Sequence, residues 1–115
     1  MSKFELAKEE TLQGLKDQMA VTGISEGRKV VAAAGTAEAL VPASTPCKHV
    51  IIAAETNNTG VIAVGGTGVV AAEATREGIP LSAGDPPLHL DVTDLADVHL
   101  DTTIAGDGVT FTYLV

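Results

Sequence analysis

The chain has 115 residues, the size of one domain, and a fold of this length buries about 65% of the surface its unfolded chain exposes. Seven Lys and Arg against fifteen Asp and Glu give a net charge of −8, so phosphate attraction is missing and no nucleic-acid partner is expected. The aromatic residues are Phe4, Phe111 and Tyr113, without Trp, a set too small for the stacking platforms of single-stranded nucleic-acid sites. Cys47 is the single cysteine; it permits no internal disulfide and fits a reducing compartment. The longest apolar runs, Val30 to Ala34 and Val50 to Ala54, are far short of the ~20 residues of a membrane span. No membrane partner is expected, and the charged first ten residues do not read as a secretory signal.

Charge divides the chain. Residues 1–29 carry five bases and five acids, whereas 30–115 carry only Lys48 and Arg76 against ten acids. Ser2 with Glu5 has the form of a capping box, and the Leu, Ala, Glu, Lys and Gln that follow predict a helix from about Lys3 to about Ala20. Leu12, Leu15 and Met19 fall on one face of that helix, with Phe4 and Ala7 as an incomplete extension. Such a stripe packs either on its own domain or on a neighbouring subunit. Gly23, Ser25 and Gly27 read as a flexible connection. The expected division is therefore a helical arm and linker over 1–28 and a β-sandwich over 29–115.

Beyond Lys29 the pattern changes to short Val, Ile and Thr segments broken by Gly, Pro, Asn and Asp. It predicts eight strands: Lys29–Ala34, Ala37–Val41, Lys48–Glu55, Val61–Val64, Val69–Ala72, Leu88–Val92, Val98–Asp101 and Val109–Leu114. Turns are expected at Gly35-Thr36, at 57–60 and 65–68, where residues tolerant of positive φ cluster, and at 105–108. Pro80, Pro86 and Pro87 confine their segment to a sheet edge or a loop. A turn centred on Asp94 predicts a hairpin in which Leu90 faces Val98, His89 faces His99 and Asp91 faces Asp97, with Leu88, Leu90, Val92, Val98 and Leu100 pointing inward. In the last strand Val109, Phe111 and Tyr113 share one side. The fold class is mainly β: a jelly-roll-like sandwich of about eight short antiparallel strands with an N-terminal α-helix.

The chemistry-bearing residues form no catalytic arrangement, so neither an enzyme nor a cofactor is expected. Ser2, Ser25, Ser44 and Ser82 lie in no strand-to-helix elbow, and Cys47, directly after Pro46, reads as a core residue. The glycines of 65–68 are followed by no helix and no Lys-Ser/Thr pair, so they make a turn rather than a phosphate cradle. Asp91, Asp94, Asp97 and Asp101 lack the spacing of a calcium loop; Asp94 and Asp97 read as turn caps, and Asp91 and Asp101 as solvated strand positions. His89 and His99, paired across the hairpin, have better metal geometry, but two ligands close a site only where a subunit interface repeats them. No metal site is expected within one chain.

Six stretches carry a resemblance: 31–42 (VAAAGTAEALVP), 47–54 and 57–66 (CKHVIIAA, NNTGVIAVGG), and 78–85, 88–101 and 106–114 (GIPLSAGD, LHLDVTDLADVHLD, GDGVTFTYL). Together they span about Val30 to Val115 and resemble small β-rich structural proteins of tailed bacteriophages. The resemblance implies a virion protein made in the host cytoplasm, and at this size a head decoration or cement protein, commonly a trimer on the outside of the capsid. The implied partners are the major capsid protein and further copies of the chain, with Phe4, Leu12, Leu15 and Met19 as capsid or subunit contacts. The other role it leaves open is a receptor- or glycan-binding module of a tail, collar or head fibre.

Overall fold

Short β-branched segments with alternating burial form two antiparallel sheets that share one core. The computed structural model describes residues 20–115; the expected helix, and with it Phe4, Leu12, Leu15 and Met19, lies outside the described residues. The strands are β1 (Ile24–Val30), β2 (Glu38–Ala39), β3 (His49–Ala54), β4 (Val61–Gly65), β5 (Ile79–Ser82), β6 (Leu88–Leu90), β7 (His99–Thr102) and β8 (Gly108–Leu114). One sheet, A, has the order β1-β8-β3-β6, and the other, B, the order β2-β7-β4-β5. The described chain is mainly β, with two four-stranded sheets.

Among the described residues only β4 and β5 are both consecutive in the chain and neighbours in one sheet; every other connection between these strands passes from one sheet to the other. The core lies between the sheets. Val50 and Ile52 of β3 and Val109 and Phe111 of β8 meet Ile62 and Val64 of β4 and Leu100 of β7. Leu88, Leu90, Val92 and Tyr113 pack against this cluster and Val98 belongs to it, so the inward sets expected for these segments hold.

The hairpin between Leu88–Val92 and Val98–Asp101 does not form. β6 pairs with β3 in sheet A, and β7 pairs with β2 and β4 in sheet B. The residues between them cross the sandwich through a 3-10 turn at Leu95–Asp97. Leu95 is fully buried, contributing about 1.5–3 kcal/mol of apolar burial at the crossing. Asp94 caps the turn, accepting from the Ala96 N–H at 2.9 Å, as the sequence predicts.

The first strand begins earlier than expected. β1 pairs with β8 along its whole length, from Ile24 opposite Leu114 to Val30 opposite Gly108, so residues read as a flexible connection are sheet. Gly27 is there because of packing: a Cβ on it would stand 2.4 Å from Cζ of Phe111, which the pairing places directly opposite. The expected strand Ala37–Val41 shrinks to the two residues of β2, and Val69–Ala72 makes only an isolated bridge, Val70 to Glu77. That segment instead folds back over the outer side of sheet B, where Val69 and Ala71 bury Ala63. It returns through Gly78, whose φ of 119° and proximity to the Val64 carbonyl, 2.8 Å from an added Cβ, leave no room for a side chain. β5 follows as a strand, the sheet-edge alternative of the two that its prolines leave open. It occupies the edge of sheet B, the position to which Pro80 restricts it.

The turn at 57–60 needs no positive φ, since no described residue other than glycine adopts one and Gly60 does not either. Side chains hold it instead. Asn58 exchanges two hydrogen bonds with Gly108, Nδ2 donating to the carbonyl at 2.8 Å and Oδ1 accepting from the N–H at 2.9 Å. The buried carboxylate of Asp107 accepts from the Thr59 and Gly60 N–H groups.

Candidate functional site

The inward faces of both sheets are spent on the core, and the outer side of sheet B is partly covered by the 66–78 segment. Chemistry-bearing side chains therefore gather on the outer side of sheet A. Strand alternation sends Ile24, Glu26, Arg28 and Val30 of β1 outward, with Thr110 and Thr112 of β8, His49 and Ile51 of β3, and His89 of β6.

The densest polar group on this face lies where β3 meets β6. Ile51 pairs with His89 and Val50 with Leu90, so one step along the same register brings His49 beside Asp91. His49 Nδ1 is 2.6 Å from Asp91 Oδ1, and His49 Nε2 is 3.2 Å from His89 Nδ1. Asp91 is almost fully exposed and the His49 side chain is a quarter exposed. An ionised carboxylate only accepts, so His49 donates from Nδ1; in the neutral ring the lone pair then lies at Nε2 and accepts from His89 Nδ1–H.

His99 stands elsewhere. It pairs with Ala39 and Gly65 in sheet B, and its Nδ1 lies 3.3 Å from the carbonyl of Asp97. The expected pair His89 and His99 is therefore replaced by His49 and His89, because the two strands of the expected hairpin sit in opposite sheets. The sequence held a signal for His49: it precedes the inward Val50, so alternation sends it to the same face as His89.

The four aspartates of 91–101 have four separate surroundings. Asp91 holds His49. The Asp94 carboxylate accepts from the Ser44 hydroxyl at 2.5 Å and from the Thr45 and Ala96 N–H groups, and these donors, the hydroxyl first, hold it below the usual carboxylate value. Asp97 lies in the 3-10 turn, and its side chain is not the cap the sequence suggests. Asp101 is 1% exposed rather than solvated. Its Oδ1 accepts from the N–H groups of Gly35 and Thr102, and its Oδ2 from that of Ala71.

Cys47 is buried, as the sequence predicts, with Sγ 3.2 Å from the Val92 carbonyl. Desolvation first and the nearby Asp94 second push its thiol up, which keeps it protonated and a poor nucleophile. The glycines of 65–68 line a shallow cleft of about 210 Å³ with Val69, Glu77 and Gly78; it brings no donor cluster together. On the outer side of sheet A, Arg28 forms a two-pronged ion pair with Glu55, its Nη2 3.1 Å from Oε2. At the edge of the sandwich Lys29 donates to Glu38 at 3.1 Å.

The chain enters the sandwich at one corner. Thr22 Oγ1 and the N–H of Gly23 both donate to the Val115 carbonyl at 3.0 Å, and Lys48 Nζ donates to the Ala20 carbonyl. His49 opposes Leu114 in the register, and so does Ile24, which puts the histidine pair at this same end of sheet A. Among the described residues no helix is long and apolar enough to cross a membrane. Comparison with protein-family models, with curated proteins and with solved structures returns no match.

Proposed function

We propose that this chain is a structural protein of a tailed-phage virion, a decoration or cement protein that binds the outside of the head and stabilises the lattice. The observation that carries this reading is the strand order. β1-β8-β3-β6 facing β2-β7-β4-β5 is the order of an eight-stranded jelly roll, an architecture used by viral capsid and lectin domains. One architecture serves many functions, and the narrowing comes from the resemblance of Val30–Val115 to small virion proteins. In this reading Phe4, Leu12, Leu15 and Met19, on the helix expected from about Lys3 to about Ala20, contact the major capsid protein or a second copy within a homotrimer. In the same reading the sandwich, whose two bases against ten acids in 30–115 account for the net charge of −8, faces solvent.

The test is a particle assay. Purified chain is added to expanded heads that lack it, bound protein is located by electron microscopy, and the heads are heated. The expected result is label over the head surface and a higher temperature of DNA release, because a ligand bound only to the intact lattice stabilises it by linkage. Label confined to the tail, collar or fibres assigns the chain to a receptor- or glycan-binding module instead.

A further inference from the structure

We propose that His49 and His89 form a site for a divalent transition-metal cation of the zinc class, bound through His49 Nε2 and His89 Nδ1 with Asp91 orienting the first imidazole. The site lies on the outer side of sheet A and does not depend on the particle reading. The two nitrogens are 3.2 Å apart. Imidazole nitrogens bonded to one tetrahedral ion at about 2.0–2.1 Å stand about 3.3 Å from each other, so the strands hold the pair close to the bite of a chelate.

That spacing is set by the backbone. His49 and His89 are diagonal neighbours across β3 and β6, whose register is pinned by Val50 opposite Leu90 and Ile52 opposite Leu88, all four packed in the core. The rings are tilted by 52° with centroids 5.4 Å apart, so they meet through their nitrogens rather than by stacking. Binding one ion requires both rings to turn so that their lone pairs converge on it.

Asp91 supplies what a metal-binding histidine ordinarily has, a carboxylate on its other nitrogen. It fixes the neutral ring's tautomer with the lone pair at Nε2 and holds the ring's orientation. In the metal-free pair the His89 Nδ1 proton fills the gap. An incoming ion takes its place and His89 carries its proton on Nε2 instead, so the neutral pair binds without net proton release. Two imidazoles select zinc, copper(II) or nickel over calcium or magnesium, which require oxygen ligands. Among the described residues no three His, Cys, Asp or Glu side chains surround a common point, so the remaining positions belong to water or to a donor from a second molecule. The net charge of −8 raises the local cation concentration.

The experiment titrates the full chain with ZnCl2 at neutral pH, following histidine side-chain resonances and heat, with CaCl2 as the contrast. The expected result is a saturable response at no more than one zinc per chain, His49 and His89 moving together, His99 unmoved and calcium silent. His49→Gln and His89→Gln each weaken binding at least tenfold, with the chain still folding cooperatively because neither side chain belongs to the core. Asp91→Asn weakens it about 10- to 100-fold. Absence of a saturable response at millimolar zinc overturns the site, and so does binding that survives the double His49→Gln, His89→Gln change. An Asp91→Asn variant that binds as tightly as the parent overturns the orienting role.

Discussion

The backbone N–H of Ala71 donates to the carboxylate of Asp101 at 2.8 Å across thirty residues of chain. Asp101 lies on the outer side of β7, opposite Ala63, and is buried because two excursions fold over it: the turn at Gly35 and the 66–78 segment, each donating one N–H. One side chain thus fastens two loops to sheet B.

Asp101→Ala leaves the Ala71 N–H buried without an acceptor and removes the bond to the exposed Gly35, and hydrogen bonds to a charged group contribute about 1.5–3 kcal/mol each. The expected loss is about 3 kcal/mol or more, measured by denaturant unfolding. Asp101→Asn, which retains one acceptor oxygen, falls between parent and Ala. Equal stabilities of the Ala variant and the parent contradict the fastening role.

Gly27→Ala is expected to destabilise by about 1–3 kcal/mol through overpacking, since the new Cβ meets the ring of Phe111, itself only 6% exposed. A second change, Phe111→Leu, shortens the obstructing side chain. In a double-mutant cycle the two changes together should cost less than the sum of each alone; strict additivity would show that the contact is not the cause.

Acid weakens the fold. The Arg28 guanidinium donates to Glu55 and holds its carboxyl low. Burial pushes the Glu38 carboxyl up, but hydrogen bonds from Lys29 and from the Ala33 and Ala32 N–H groups outweigh it, and the net direction is down. Asp94 is also lowered. A depressed folded-state value contributes stability that is fully present above the unfolded value and lost as pH falls through the folded one. Thermal midpoints should hold from neutrality to about pH 5 and fall below about pH 4. Asp94→Asn should reduce the midpoint near neutrality and flatten the acid limb, and a profile indifferent to that change would remove Asp94 from the set.

Changing Leu12, Leu15 and Met19 together to Ser tests the arm. If the stripe contacts the capsid or a second copy, as proposed, the thermal transition of the sandwich stays within a few degrees of the parent while binding to phage heads is lost. Unfolding of the whole chain would mean that the stripe packs on its own sandwich, and unaltered binding would move the contact to the β surface.

What could be read from the sequence was the facing of each strand. Alternation is local, and it sends Leu88 and Leu90 inward and His49 and His89 outward whatever the partner strands are. Pairing is not local. Leu88–Leu90 and His99–Thr102 are close enough in the chain to suggest a hairpin, and nothing between them states that Leu95 plugs a crossing. Asp101 shows the same limit from another side: its outward direction is legible, but the donors that bury it come from residues 35 and 71. The histidine pair was half visible, since His89 is apparent on its strand while its true neighbour is forty positions earlier.

The pairing of β8 with both β1 and β3 has a consequence for synthesis. During translation sheet A lacks the strand that joins β1 to β3 until Gly108–Leu114 has been made, so β1 and the β3–β6 pair wait with open edges. The β4–β5 hairpin is the sole pairing between consecutive strands of the described chain, and a chain dominated by distant contacts folds slowly, in milliseconds to seconds. Nascent and truncated chains are then the aggregation-prone species. A premature stop before Gly108 should yield insoluble material rather than a smaller folded core.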